Sequence, residues 1–240
     1  MKVELFIPCL IDQLRPETAF NTVKVLEKAG CHVNYNVEQT CCGMAAFNAG
    51  HWDEAREVGV KFLSEADTSR YMVSPGGSCV GMIRNSYDAL FQNSSHHNKF
   101  RQLQKKIFEL SEFLVDVVKV TDLGSMLTAK ATYHDACGAL RECKIKTQPR
   151  TLLQQVKGLQ LVESVNCEDC CGFGGSFAVK AEPISVAMAE AKVEQALAIG
   201  AEYIISTDFG CLLQLDTYLK NKNITNLKSL HLADILAMGI

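Results

Sequence analysis

Apolar positions in this chain fall into short blocks whose spacing switches between a period of two and one of three to four. Lys2–Ile7 and Ser69–Ser74 are brief apolar-rich runs that stop at Pro8 and Pro75, and His32–Val37 alternates, so all three predict strands. Between them, Pro16–Ala29 has helical spacing, with Pro16 in its first turn and Gly30 closing it, and Trp52–Ala66 and Cys79–Leu90 also predict helices. The second half runs in the same order: strand Ala131–His134, helix Pro149–Val156, strand Gln160–Glu163, helix Pro183–Ile199 closed by Gly200, strand Tyr203–Ser206. Gln92–Asn98 is polar and predicts an exposed loop. Leu103, Ile107, Leu110, Leu114 and Val118 predict one bridging helix over Phe100–Val118, and Ser229–Met238 predicts a terminal helix. Strands alternating with helices imply an α/β fold of βαβ units with parallel sheets.

The cysteines divide the chain in the same way. Cys9, Cys41-Cys42-Gly43 and Gly76-Gly77-Ser78-Cys79 are followed by Cys137, Cys170-Cys171-Gly172 and Asp208-Phe209-Gly210-Cys211. The lone cysteine lies 32 positions before the pair in the first half and 33 in the second; the last cysteine lies 37 and 40 positions after it. The same order at nearly the same intervals predicts a duplication, with lobes 1–123 and 124–240 meeting near Lys119–Ala129. Every one of these cysteines falls just after a predicted strand. Ligands in an open parallel sheet gather beyond the carboxyl ends of the strands, so four cysteines should converge in one crevice per lobe. Helix N-termini in the same place favour thiolates.

Composition narrows the function. With 24 basic and 27 acidic side chains the net charge is −3, so nothing points to nucleic acid or to an anionic membrane surface. The N-terminal apolar run is too short for a signal peptide, and no segment reaches the roughly 18 apolar residues of a membrane span, which predicts a cytoplasmic chain without direct membrane insertion. Eleven cysteines, an odd number in a reducing compartment, argue against a disulfide framework and for a metal site or redox chemistry. No Gly-x-Gly-x-x-Gly follows a strand and no Walker loop is present, so neither nucleotide nor flavin binding is expected.

Adjacent cysteines such as Cys41-Cys42 and Cys170-Cys171 direct two sulfurs at one site, and the glycine after each pair lets the backbone turn sharply. Thiolates are soft donors suited to iron–sulfur clusters and to zinc. Cys9, Cys41, Cys42 and Cys79 form one candidate ligand set, and Cys137, Cys170, Cys171 and Cys211 the other. Four sulfurs suit a four-thiolate [4Fe–4S] cluster and also tetrahedral zinc. Of the rest, Cys31 follows a helix end and is expected in the core. Cys143 has no role legible in the sequence. Cys167 forms a Cys-x-x-Cys with Cys170, which is already claimed by the repeat. His134, three residues before Cys137, could enter the second crevice or be a hydrogen-bonded histidine at a strand end, the commoner case. His96-His97 reads as a solvated loop, and His51 and His231 carry no signal.

The doubled pattern Cys-x(n)-Cys-Cys-Gly-x(m)-Cys-x-x-Cys resembles the cysteine-rich CCG-domain family, which includes a cysteine-rich component of heterodisulfide reductase and the iron–sulfur subunit of glycolate oxidase. The resemblance covers nearly the whole chain. Phe6-Ile7-Pro8-Cys9, Tyr133-His134-Asp135-Ala136-Cys137 and Cys170-Cys171-Gly172-Phe173-Gly174-Gly175 are most similar to its lactate-utilization branch. The resemblance implies an iron–sulfur electron-transfer subunit that works with two partner proteins to oxidise L-lactate to pyruvate, or glycolate, and is not catalytically complete alone. In heterodisulfide reductase relatives a full five-cysteine box holds a noncubane [4Fe–4S] cluster. Here the first cysteine of the terminal Cys-x-x-Cys is replaced by Gly76 and Asp208. Gly76 cannot ligate. Asp208 could offer an oxygen or cap the following helix, the common use of aspartate there. Two other functions compete: a thiol–disulfide oxidoreductase, and a structural zinc protein acting as an interaction module.

Overall fold

The computed structural model describes residues 1–240. Its eight strands are β1 (Lys2–Leu5), β2 (His32–Tyr35), β3 (Tyr71–Ser74), β4 (Ile107–Glu109), β5 (Met126–Tyr133), β6 (Lys157–Leu161), β7 (Tyr203–Ser206) and β8 (Lys228–His231). They form two four-stranded sheets of identical order, β2-β1-β3-β4 and β6-β5-β7-β8, with every pairing parallel. The α/β class and the duplicated parallel lobes expected from the pattern are therefore present. Parallel neighbours require crossovers, and helices such as Pro16–Lys28, Trp52–Glu65 and Glu182–Ala198 supply them. The central strands carry the apolar runs Met72-Val73 and Ile204-Ile205, buried between the layers.

Two predicted helices are corrected. Phe100–Val118 is not one helix: it divides into helix His97–Gln104, strand β4, a helical turn Leu110–Glu112 and a π-helical stretch Phe113–Val118. Ser229–Met238 begins as strand β8 and turns helical only over Leu232–Leu236. The cause is the same in both lobes. The open edges of β3 and β7 need hydrogen-bond partners, and Met72–Ser74 pairs with Ile107–Glu109 as Tyr203–Ser206 pairs with Lys228–His231. Each new strand ends on a helix cap: the Glu109 carboxylate accepts from the N–H groups of Ser111 and Glu112, and His231 Nδ1 accepts from Ala233 N–H at 3.1 Å. Cys79–Leu90 is likewise interrupted, as helix Gly77–Gly81, a π-helical turn Met82–Ser86 and helix Tyr87–Phe91. His97, expected in the loop, already starts a helix.

The halves share their interior. One core cluster joins Val3, Leu5 and Val73 of the first sheet to Ala131, Tyr133 and Ile205 of the second, and another joins Phe6, Cys42 and Cys79 to Ala136, Cys171 and Cys211. The close approach is made at Gly77 and Gly138: a Cβ on Gly77 would lie 2.6 Å from Ala139 Cβ, and one on Gly138 would lie 2.7 Å from Ser78 Cα. Polar clamps close the same seam. Asp234 accepts from Thr18 Oγ1 and Asn21 Nδ2, each at 3.0 Å, and His231 Nε2 lies 2.8 Å from the Pro75 carbonyl.

Candidate metal centre

The eight cysteines read as ligands stand beyond the carboxyl ends of strands. Cys9 follows β1, Cys41-Cys42 follow β2 and Cys79 follows β3; Cys137, Cys170-Cys171 and Cys211 follow β5, β6 and β7. They gather into two quartets of free thiols. In the first, Cys9 Sγ lies 3.8 Å from Cys41 Sγ, Cys41 interacts with Cys42, and Cys42 interacts with Cys79. In the second, Cys137 meets Cys170, Cys170 meets Cys171, and Cys171 meets Cys211. Cys42, Cys79, Cys171 and Cys211 are buried, whereas Cys9 and Cys137 are exposed, so each quartet is closed on its inner side and open on its outer one.

The turn that aims each pair depends on glycine. Gly43 (φ 81°) and Gly172 (φ 88°) are in the left-handed region. A Cβ on Gly43 would come 3.0 Å from the Ala55 carbonyl oxygen, and one on Gly172 only 2.4 Å from that of Ser185. This conformation lets Gly43 N–H donate to Cys41 Sγ and Gly172 N–H to Cys170 Sγ, each at 3.4 Å. Behind the first pair, Tyr87 donates its hydroxyl to the Cys42 carbonyl at 3.0 Å.

The charge pattern is the same in both quartets. Hydrogen bonds from Cys42 and Cys9 hold Cys41 well below the ordinary thiol range, and bonds from Cys137 and Cys171 do the same for Cys170. Their partners move the other way: Cys9 and Cys42 are raised chiefly by donating to Cys41, and Cys137 and Cys171 by donating to Cys170. Cys41 and Cys170 are thus favoured as thiolates while the thiols bonded to them hold their protons more tightly, because neighbouring thiolates repel. A cationic group bound between the sulfurs would release those protons. The donor set is all soft sulfur, with a main-chain N–H already directed at one thiolate in each quartet, and it fits an iron–sulfur cluster; four sulfurs also fit zinc.

The other candidate residues take different places. Asp208 is engaged by backbone and hydroxyl donors: its carboxylate accepts from Gly210 N–H at 3.2 Å, capping helix Phe209–Asn221, and from the N–H (2.9 Å) and hydroxyl of Ser78 in the other half. A fifth cysteine at position 76 is sterically barred as well, since a Cβ there would lie 2.6 Å from the Pro8 ring. Cys31 is buried in the core, as expected. Cys143 packs between the halves with Sγ 3.5 Å from the Gly77 carbonyl, and burial pushes its thiol up to about 12. Cys167 is raised by burial and by neighbouring Asp135, which is held by Arg150 at 2.7 Å, so it pairs with that ion cluster while Cys170 belongs to the quartet. His134 departs from the commoner expectation. It is 2% exposed, neither ring nitrogen has a hydrogen-bond partner, and a ring nitrogen lies within 4.8 Å of Cys171 Sγ and Cys211 Sγ. Its place before Cys137 was the only signal of this in the sequence. No helix is long and apolar enough to cross a membrane.

The chain is similar to several known proteins. The cysteine-rich domain (CCG) family model matches residues 3–84 and 131–216. Lactate utilization protein A of Halalkalibacterium halodurans is 41% identical over 236 residues, covering 98% of this chain and 96% of its own. The protein of the same description from Bacillus pumilus is 40% identical over 236 residues, covering 98% and 99%. The crystal structure of a hypothetical protein from Helicobacter pylori superposes with a TM-score of 0.65 at 14% identity, over 100% of this chain but only 49% of that one, and shows the fold alone.

Proposed function

This chain belongs to the cysteine-rich domain (CCG) family, and we propose that it is a cytoplasmic iron–sulfur electron-transfer subunit in the oxidation of L-lactate to pyruvate. The observation that carries this reading is the doubled quartet of free cysteines, each arranged around a left-handed glycine beyond a parallel sheet. Its relatives of 40–41% identity are described as lactate utilization proteins, which supports the substrate. Bound iron–sulfur clusters would supply one-electron transfer.

The chain's own residues have definite parts. Cys9, Cys41, Cys42 and Cys79 hold one group in the lobe 1–123, and Cys137, Cys170, Cys171 and Cys211 hold the other in the lobe 124–240. Gly43 N–H and Gly172 N–H orient one sulfur of each set and offset its charge. The buried cysteines keep water from the inner side, and exposed Cys9 and Cys137 mark the side open to a partner. Removal of two electrons and two protons from lactate calls for a cofactor suited to paired electrons, and no fold element here carries a nucleotide fingerprint. That chemistry falls to a partner, and two partner proteins complete the system.

Two measurements test the reading. Anaerobically prepared protein should be brown and contain iron and acid-labile sulfide; colourless protein with stoichiometric zinc and no sulfide would favour a structural zinc module. With clusters loaded, lactate-dependent dye reduction should require the partner proteins. Turnover by the isolated chain, unchanged on adding them, would refute the subunit role.

A further inference from the structure

The two quartets stand on equivalent backbones with unlike neighbours. Phe6 N–H donates to the Val73 carbonyl at 2.9 Å and His134 N–H to the Ile205 carbonyl at 2.8 Å, so these residues hold the same place at the end of the first strand of each sheet. Phe62 and Lys192 are equivalent too: each lies seven residues beyond the carbonyl, of Ala55 or Ser185, that closes on the glycine after the cysteine pair. In the first half Phe6 and Phe62 pack edge to face with ring centroids 4.8 Å apart. In the second half the same two places hold a histidine and a lysine, 2% and 7% exposed.

Exchanging a packed aromatic pair for two buried polar side chains is unfavourable unless they gain partners. Lys192 finds one, donating its ammonium to the Asn166 carbonyl. His134 does not: the Cys167 carbonyl comes near the ring without hydrogen-bond geometry. What the ring does face is sulfur, with one nitrogen and the Sγ atoms of Cys171 and Cys211 all within 4.8 Å of one another. The ring is buried and neither nitrogen has a hydrogen-bond partner, so a ring nitrogen is left free to bind a metal. Asp208, the other possible oxygen or nitrogen donor on this side, is committed to Gly210 and Ser78.

We propose that the second centre is a mixed cysteine–histidine site, in which His134 gives a ring nitrogen to the metal group held with Cys171 and Cys211, while the first centre is ligated by cysteine alone. The proposal rests on the reading that the quartets bind metal, but not on which metal. It makes the two centres chemically different despite the duplication.

The test uses the full chain, loaded anaerobically with iron and sulfide and reduced, in natural-abundance and 15N-histidine forms. Pulsed EPR should show a nitrogen coupling of directly bonded imidazole that shifts on labelling and disappears in His134→Phe, which installs the residue of the first half. If that variant fails to fold, His134→Gln serves, and the labelled wild type alone still decides, since His231 is engaged in its helix cap. Loaded wild type with no histidine nitrogen coupling overturns the proposal. A chain that takes zinc and no sulfide defeats the iron–sulfur reading only. Absorption at the zinc edge then decides: a nitrogen at about 2.0–2.1 Å that is lost in His134→Phe supports the mixed site, and an all-sulfur shell at about 2.3 Å overturns it. A chain that binds neither metal overturns both.

Discussion

Substituting Asp208 separates its two possible uses, ligand and cap. Its carboxylate accepts three hydrogen bonds, one from Gly210 N–H and two from Ser78 across the seam between the halves. Asp208→Ala removes all three and leaves the main-chain donors of Ser78 and Gly210 without that acceptor. Hydrogen bonds to charged groups contribute about 1.5–3 kcal/mol each. The two from Ser78 share one oxygen, so their contributions overlap, and we expect a loss of about 3–5 kcal/mol. Asp208→Asn keeps one acceptor oxygen and should lose about 1–2 kcal/mol. Measured against a total stability of about 5–15 kcal/mol, the alanine change is large and the asparagine change moderate. Urea unfolding of the metal-free protein reads it: with an m-value of about 2–3 kcal/mol per molar, Asp208→Ala lowers the midpoint by about 1–2 M. Trp52, the single tryptophan, reports from the first half and far-UV circular dichroism from the whole chain, and both should shift together because the bond crosses the seam. Metal uptake by the folded variant should equal that of wild type. Unchanged stability combined with loss of metal from the second centre would refute this reasoning and make Asp208 a ligand.

Further outcomes are expected. Cys171→Ser should empty the second centre and Cys42→Ser the first, each leaving the other loaded, while Cys31→Ser leaves metal per chain unchanged; metal loss from Cys31→Ser would break the assignment. Gly172→Ala should destabilise the chain by about 2–4 kcal/mol, combining a left-handed backbone penalty of about 1–2 kcal/mol with overpacking against Ser185. Gly43→Ala, with 3.0 Å rather than 2.4 Å to the facing carbonyl, should cost less in thermal unfolding, and the reverse order would contradict the geometry. Burial pushes the Glu109 carboxyl from 4.5 up to about 7. The folded chain then keeps a proton that the unfolded chain releases, so this group's contribution to stability is full below pH 4.5 and declines as pH rises to about 7. Glu109→Gln retains an acceptor for Ser111 and should flatten the stability profile across that window; identical slopes in variant and wild type would exclude Glu109 as the source.

Much of this protein was legible in consecutive residues. The two-fold cysteine pattern predicts the duplication and the gathering of four cysteines in each half, and Tyr203–Ser206 is a strand with the ends its sequence predicts, because Tyr203, Ile204 and Ile205 all suit the pleat of a strand. The missed strands β4 and β8 have only three and four residues and sit directly before helices, so their apolar positions satisfy a helical period as well as an extended one. They are strands because the free edges of β3 and β7 lie beside them, a fact of assembly and not of local pattern. The same holds for the polar residues around the site. His134 looked like an ordinary strand-end histidine until folding carried Cys171 and Cys211 to its ring, and Asp208 met Ser78 from 130 residues away. Local sequence determines which residues can turn, pair or ligate. Which of them meet is decided when two apolar lobes bury a common core, because that packing alone sets what each buried polar group faces.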